Sequence, residues 1–152
     1  MNDGVELTYR HIMRVRDLLD EFAMELLERG RRHDATKLKE PERTAFAEAG
    51  AKLKGLTYGT PEYDEAKNRL GEALGHHYLH NPHHPEHYDD GIDDMSLVDV
   101  VEMFCDWKAA SERHDDGWIG DSITENEKRF DMSPQLVAIF RNTVQDFGWE
   151  KS

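Results

Sequence analysis

Apolar residues recur at helical spacing along most of the chain, and no segment alternates in the manner of a half-buried strand. Between Val5 and Gly30, Ile12, Val15, Leu18, Leu19, Phe22 and Leu26 form one stripe that stops at a glycine, which predicts a long first helix. His11 lies beside that stripe, so its ring is expected to face the core. A second helix is predicted from about Pro41 to Lys54, with proline in its first turn. Gly55 to Gly59 reads as a loop. Thr60-Pro61 then opens a third helix, with Thr60 as N-cap, through Leu70 and Leu74 to about Tyr78.

Asn81 to Asp94 contains Pro82, Pro85 and Gly91 and reads as a loop with a stiffened backbone. Ser96 with Asp99 forms a capping pair for a fourth helix reaching about Arg113. After a second loop from His114 to Asp121, a lid or a plain connector, Ser122 with Glu125 is expected to cap a short helix. Ser133-Pro134 starts the last helix, which carries Leu136, Val137, Ile139, Phe140, Val144 and Phe147. The expected fold is all-α: one compact helical bundle of five to seven helices over residues 1–152.

Composition narrows the partners. The formal charge of −13 argues against duplex nucleic acid, whose binding relies on dense Lys/Arg contacts to phosphate. A small anionic substrate stays compatible, because a metal cluster can reverse the field inside one pocket. No apolar run approaches the ~20 residues of a membrane span, and the N-terminus has no apolar signal-peptide core. The single Cys105 excludes an internal disulfide framework and suits a reducing cytoplasm. A homo-oligomer is compatible with all of this.

The chemistry is concentrated in histidine. Six of the nine histidines fall between His76 and His87, in the string GHHYLHNPHHPEH. Each imidazole that leaves water needs a hydrogen-bond partner or a metal, and with His33-Asp34 and Asp106 the string offers the nitrogen and oxygen donors of a metal site. His77 continues the face of Leu70, Ala73 and Leu74 and is expected to point inward; His80 lies near the helix end. His76 and His87 are expected to be solvated. Lys37, one turn after Asp34, suits a phosphate oxygen or holds Asp34 ionised. Asp106 sits one turn from Glu102 at the margin of an apolar helix face, and Trp107 is a candidate to stack on a base.

The order His11, His33-Asp34, His83-His84, Asp106 resembles the HD-domain superfamily of metal-dependent phosphohydrolases, across about His11 to Arg113. His33-Asp34-Ala35-Thr36-Lys37 resembles the HD-x-x-K form of its cyclic-dinucleotide phosphodiesterase branch, and His83-His84-Pro85-Glu86 is similar to that branch's His-His-x-Glu element. Asp106 to Arg113 resembles the segment with the terminal metal-binding aspartate and a following arginine. The Gly-Tyr-Pro of that branch is absent after Glu86, where the chain reads HYDDGIDD. HNPHHPEHY with EMFCDW is more similar to an uncharacterised family of small phage and bacterial proteins.

The resemblance implies one or two divalent cations (manganese, iron, nickel, cobalt, zinc or magnesium). His11, His33, Asp34 and Asp106 would hold the first, and His77 or His80 with His83 and His84 a second. A water activated by the cation would attack phosphorus in a nucleotide-like ester or anhydride. Lys37 and Arg113 would bind phosphate, and Glu86 or Glu102 would accept a proton or orient a ligand histidine. Two other readings fit the same residues: a non-enzymatic metal- or nucleotide-binding module, and a diiron oxygenase of HD-like fold.

Overall fold

The first 30-residue helix, α1 (Asp3–Arg32), places Asp3 and Glu6 in its first turn and Arg29, Arg31 and Arg32 in its last, matching the charges of the helix macrodipole. Along its surface Arg10 pairs with Glu6 and Arg29 with Glu25, both four residues apart. Such exposed pairs contribute about 0.3–0.5 kcal/mol each. The computed structural model describes residues 3–52, 61–113 and 117–150, and not the side chains of 49–52, 61–64, 66, 67 and 69. The chain divides into two units, Met1–His33 and Asp34–Ser152. The first is essentially α1, and none of its described residues is buried. His11, Ile12, Val15, Leu18, Leu19 and Phe22 are exposed and Leu26 is half-buried, contrary to the inward orientation that periodicity suggested.

The second unit begins with a 3-10 turn, Ala35–Leu38, and continues through α2 (Glu42–Lys52) and α3 (Pro61–His80). Two further 3-10 turns, Pro85–His87 and Gly91–Asp94, lead into α4 (Leu97–Ser111), α5 (Ile119–Arg129) and α6 (Pro134–Asp146). The all-α expectation holds: six α-helices and no strand are found among the described residues. No described helix is long and apolar enough to cross a membrane.

Caps account for several boundaries. Ser96 accepts from the Asp99 backbone N–H, and the Asp99 carboxylate accepts from the Ser96 N–H, a reciprocal capping box. Ser133 caps α6 through the Leu136 N–H, with Pro134 in the first turn. The expected Ser122–Glu125 cap is not formed. α5 starts four residues earlier, with Trp118 at its N-cap, so Ser122 lies inside the helix. Burial of Ile119 and Ile123 in the core outweighs the capping preference of Ser122. Thr60 and Gly55 to Gly59 lie outside the described residues, as does 114–116 of the proposed lid.

The core lies among α4, α5 and α6: Met103 and Phe104, Ile119 and Ile123, and Val137, Phe140 and Val144, with Met132 from the intervening turn. Phe104 and Phe140 stack at 4.6 Å. Trp118 closes over Gly120, where a Cβ would lie 2.4 Å from the indole ring. Gly120→Ala is therefore expected to displace Trp118 and cost about 1–3 kcal/mol, read as a lower denaturation midpoint; an unchanged midpoint would show that the indole moves freely. α2 packs against α3 and against the Ala35–Leu38 turn. That second cluster positions the histidines.

Candidate metal centre

Asp34 occupies the left-handed region, φ 57° and ψ 16°, at the N-cap of the first 3-10 turn. Aspartate visits this region more readily than most side chains. Its carboxylate meets the end of α3 and the segment that follows. One oxygen, Oδ1, lies 3.2 Å from His77 Nε2 and 3.5 Å from His83 Nε2. The other, Oδ2, accepts from Lys37 Nζ at 2.6 Å. His77 Nε2 and His84 Nε2 are 2.9 Å apart. Asp34, His77, His83 and His84 thus each offer one ligand atom, all within 4.8 Å of one another.

These spacings suit a cation. Four donors at the 2.0–2.1 Å typical of zinc–nitrogen bonds, arranged tetrahedrally, stand roughly 3.3 Å from each other. Between two imidazole nitrogens at 2.9 Å, a cation would accept both lone pairs where otherwise one ring must supply a proton. His77 and His83 are almost completely buried, so water contributes little to that balance.

Two carboxylates hold the outer nitrogens of the inner rings. His77 Nδ1 donates to Glu42 Oε2 at 2.9 Å, and His83 Nδ1 lies 3.2 Å from Glu102 Oε1. Anchoring Nδ1 in this way orients the ring and leaves Nε2 as the ligand atom. Glu42 is completely buried. It also accepts from Thr36 Oγ1 at 2.7 Å and, through Oε1, from His76 Nδ1 at 2.7 Å. Asn81 donates to Thr36 Oγ1 and to the His77 carbonyl, tying the end of α3 to the first 3-10 turn.

The electrostatics follow from this packing. Burial alone would raise the Asp34 carboxyl, but hydrogen bonds from His77, His83 and Lys37, with the Lys37 charge, hold it well below the usual carboxylate range. Glu42 behaves alike: burial raises it, and Thr36, His76 and His77 together bring it below its ordinary value. His84 is pushed down to about 3 by burial first and then by the neighbouring rings of His83 and His77. A histidine lowered in the fold binds fewer protons there than in the unfolded chain, so its stabilising effect is complete above 6.5 and is lost as pH falls toward 3. Glu42 adds a loss in the same direction below 4.5. The metal-free protein is expected to lose stability steadily from pH 6.5 to 3 in chelator-containing denaturation series. His84→Asn should flatten the part above pH 4.5; an unflattened curve contradicts this account of His84.

The remaining sequence candidates are distributed as follows. Asp106 offers a ligand atom within 4.8 Å of one on His83, and Glu102, one turn earlier on α4, takes the ring-orienting position. His80 does not join the cluster: it is exposed at the end of α3, and its Nδ1 donates to the His76 carbonyl at 2.8 Å. Glu86 pairs with Arg129 of α5. Trp107 packs against Phe130 and Phe140 in the core, and Arg113 is exposed beyond α4. His11 and His33 belong to the first unit, His33 being its last residue before Asp34.

The two expected bystanders also have partners. His76 donates to Glu42, and His87 Nδ1 donates to the Tyr78 carbonyl at 2.9 Å. Sequence reasoning missed Glu42, Thr36 and Asn81. Glu42 reads as an ordinary acidic residue in a helix's first turn, a favoured place for a carboxylate, and nothing in the spacing connects it to residues 34 and 35 positions away. No curated protein and no solved structure matches the chain. Residues 2–146 match the family of unknown function DUF5662, and the chain belongs to that family.

Proposed function

We propose that this protein is a metal-dependent phosphohydrolase acting on a nucleotide or a related phosphate ester or anhydride. The observation that carries the reading is the convergence of Asp34, His77, His83 and His84 beside Lys37. The motif order that resembles the HD-domain superfamily supplies the reaction class. Asp34, His77, His83 and His84 would hold one divalent cation. Asp106, beside His83, extends the donor set toward a second. His11 and His33 enter as ligands from the sequence resemblance alone. A divalent cation in such a centre supplies Lewis-acid activation of water and of a phosphoryl oxygen.

The protein's own groups do the positioning. Glu42 and Glu102 hold the Nδ1 atoms of His77 and His83. Lys37 holds Asp34 ionised, and its half-exposed ammonium offers a charge-assisted bond to a phosphate oxygen. Fixed cations in this pocket would let a chain of charge −13 accept a small anion. A cytoplasmic location fits the single cysteine.

The test is metal analysis of the purified protein, followed by a nucleotide-hydrolysis panel with manganese, iron, nickel, cobalt, zinc and magnesium. Asp106→Ala is expected to abolish metal-dependent turnover with helicity intact; retained turnover overturns the assignment. Three imidazoles to one carboxylate also suit iron, the observation that favours a diiron oxygenase as second reading. Bound iron with O₂ consumption would select it. Tight metal binding without turnover on the whole panel would select a binding module.

A further inference from the structure

We propose that His76 and His80 form a second, solvent-facing cation site at the end of α3, for a borderline divalent metal such as zinc, nickel or copper. The two residues are four apart at the carboxyl end of one helix, so their side chains stand on the same face. Their rings stack, with centroids 4.1 Å apart and planes 26° from parallel. Both Nδ1 atoms are engaged on the protein side: His76 donates to the buried Glu42 carboxylate, and His80 donates to the His76 backbone carbonyl. Each ring therefore keeps Nε2 as its available donor. An imidazole whose far N–H is held by a carboxylate or a backbone carbonyl has the arrangement of a metal-ligating histidine.

Two surroundings favour a cation here. The site lies at the carboxyl end of a 20-residue helix, where the macrodipole is negative. The ionised carboxylate behind His76 adds to that field. The site is also open, since His80 is exposed and the His76 side chain is 36 % exposed. Remaining coordination positions would thus go to water or to an external ligand, unlike the buried centre. Glu42 joins the two sites, holding His76 with one oxygen and the buried ligand His77 with the other. The surface site stands whether or not the buried centre is catalytic.

The test is calorimetric titration of the metal-free full-length chain with nickel(II), for the native protein, His80→Ala and His77→Ala. His80 is exposed at the end of α3, so its alanine variant is expected to keep native helicity by circular dichroism. The native chain is expected to show two classes of site. His80→Ala should lose the solvent-facing class, with affinity there weakened at least ~100-fold, because even the outer partners of ligand histidines are worth 10–100-fold. His77→Ala should lose only the buried class. If the buried centre binds nothing and the surface pair does, the native chain takes up one ion and His80→Ala none. If His80→Ala matches the native chain in stoichiometry and affinity, the surface site does not exist.

Discussion

Alanine in place of Asp34 is expected to abolish cation binding at the buried centre, and with it the thermal stabilisation that the cation brings. Asp34 Oδ1 lies 3.2 Å from His77 Nε2 and 3.5 Å from His83 Nε2. Removing it takes from the imidazoles a carboxylate that would offset a divalent charge. A ligand that binds only the folded state, present at a hundred times its dissociation constant, stabilises by about 2.7 kcal/mol. For a chain of this length that is a shift in Tm of roughly 5–11 °C. Thermal denaturation with and without added zinc or manganese, in the His80→Ala background that removes the surface pair, should show such a shift when Asp34 is present and none when it is alanine. A shift of equal size in the variant would mean that the cation binds elsewhere. Lys37 loses its carboxylate partner in this variant as well, so the chelated protein should be compared in the same series.

The second large effect is expected at Glu42. Its carboxylate is completely buried and accepts from Thr36, His76 and His77. Hydrogen bonds to charged groups contribute about 1.5–3 kcal/mol each, and bonds sharing one acceptor do not add independently. Glu42→Ala is therefore expected to cost about 3 kcal/mol in a denaturant titration, since three donors lose their acceptor together. Glu42→Gln separates support of the fold from support of the metal centre. Its amide replaces one acceptor oxygen by a donor, so either His76 or His77 must change tautomer. The exposed side of His76 makes that change cheap there. The fold should then suffer less than in the alanine variant, while affinity at the buried centre falls about 10–100-fold through weaker support of His77. Native-like stability of Glu42→Ala would show that the network is dispensable.

Much of this site was legible in the residue order. His77 continues the stripe of Leu70, Ala73 and Leu74, and helical period alone directs it inward; it is 1 % exposed. The stiffening prolines at 82 and 85 flank His83 and His84, which both reach the cluster. Asp34 stands out as half of a His-Asp pair. His80 shows where periodicity stops being informative. It lies three residues beyond His77, near enough to share a face, yet the helix ends there and its ring turns back to the His76 carbonyl. Trp107 shows the opposite limit: an aromatic next to a candidate ligand is equally suited to a base or to a core, and Phe130 and Phe140 take it into the core.

The sequence by itself determined the all-α class, the capped starts of α4 and α6, and the inward direction of His77, because these depend on neighbours within a turn or two. Only the tertiary structure decided which histidines meet. Asp34 and His77 come together because α2 packs on both α3 and the Ala35–Leu38 turn. Glu42 becomes an anchor for two imidazoles only once that packing removes its carboxylate from water. A buried carboxylate must find donors, and the donors it found lie 34 and 35 residues away. Helical periodicity carries no information over that distance, so the histidine run marked candidate ligands, and only the packing of α2 on α3 and on the Ala35–Leu38 turn brought Asp34 and His77 together.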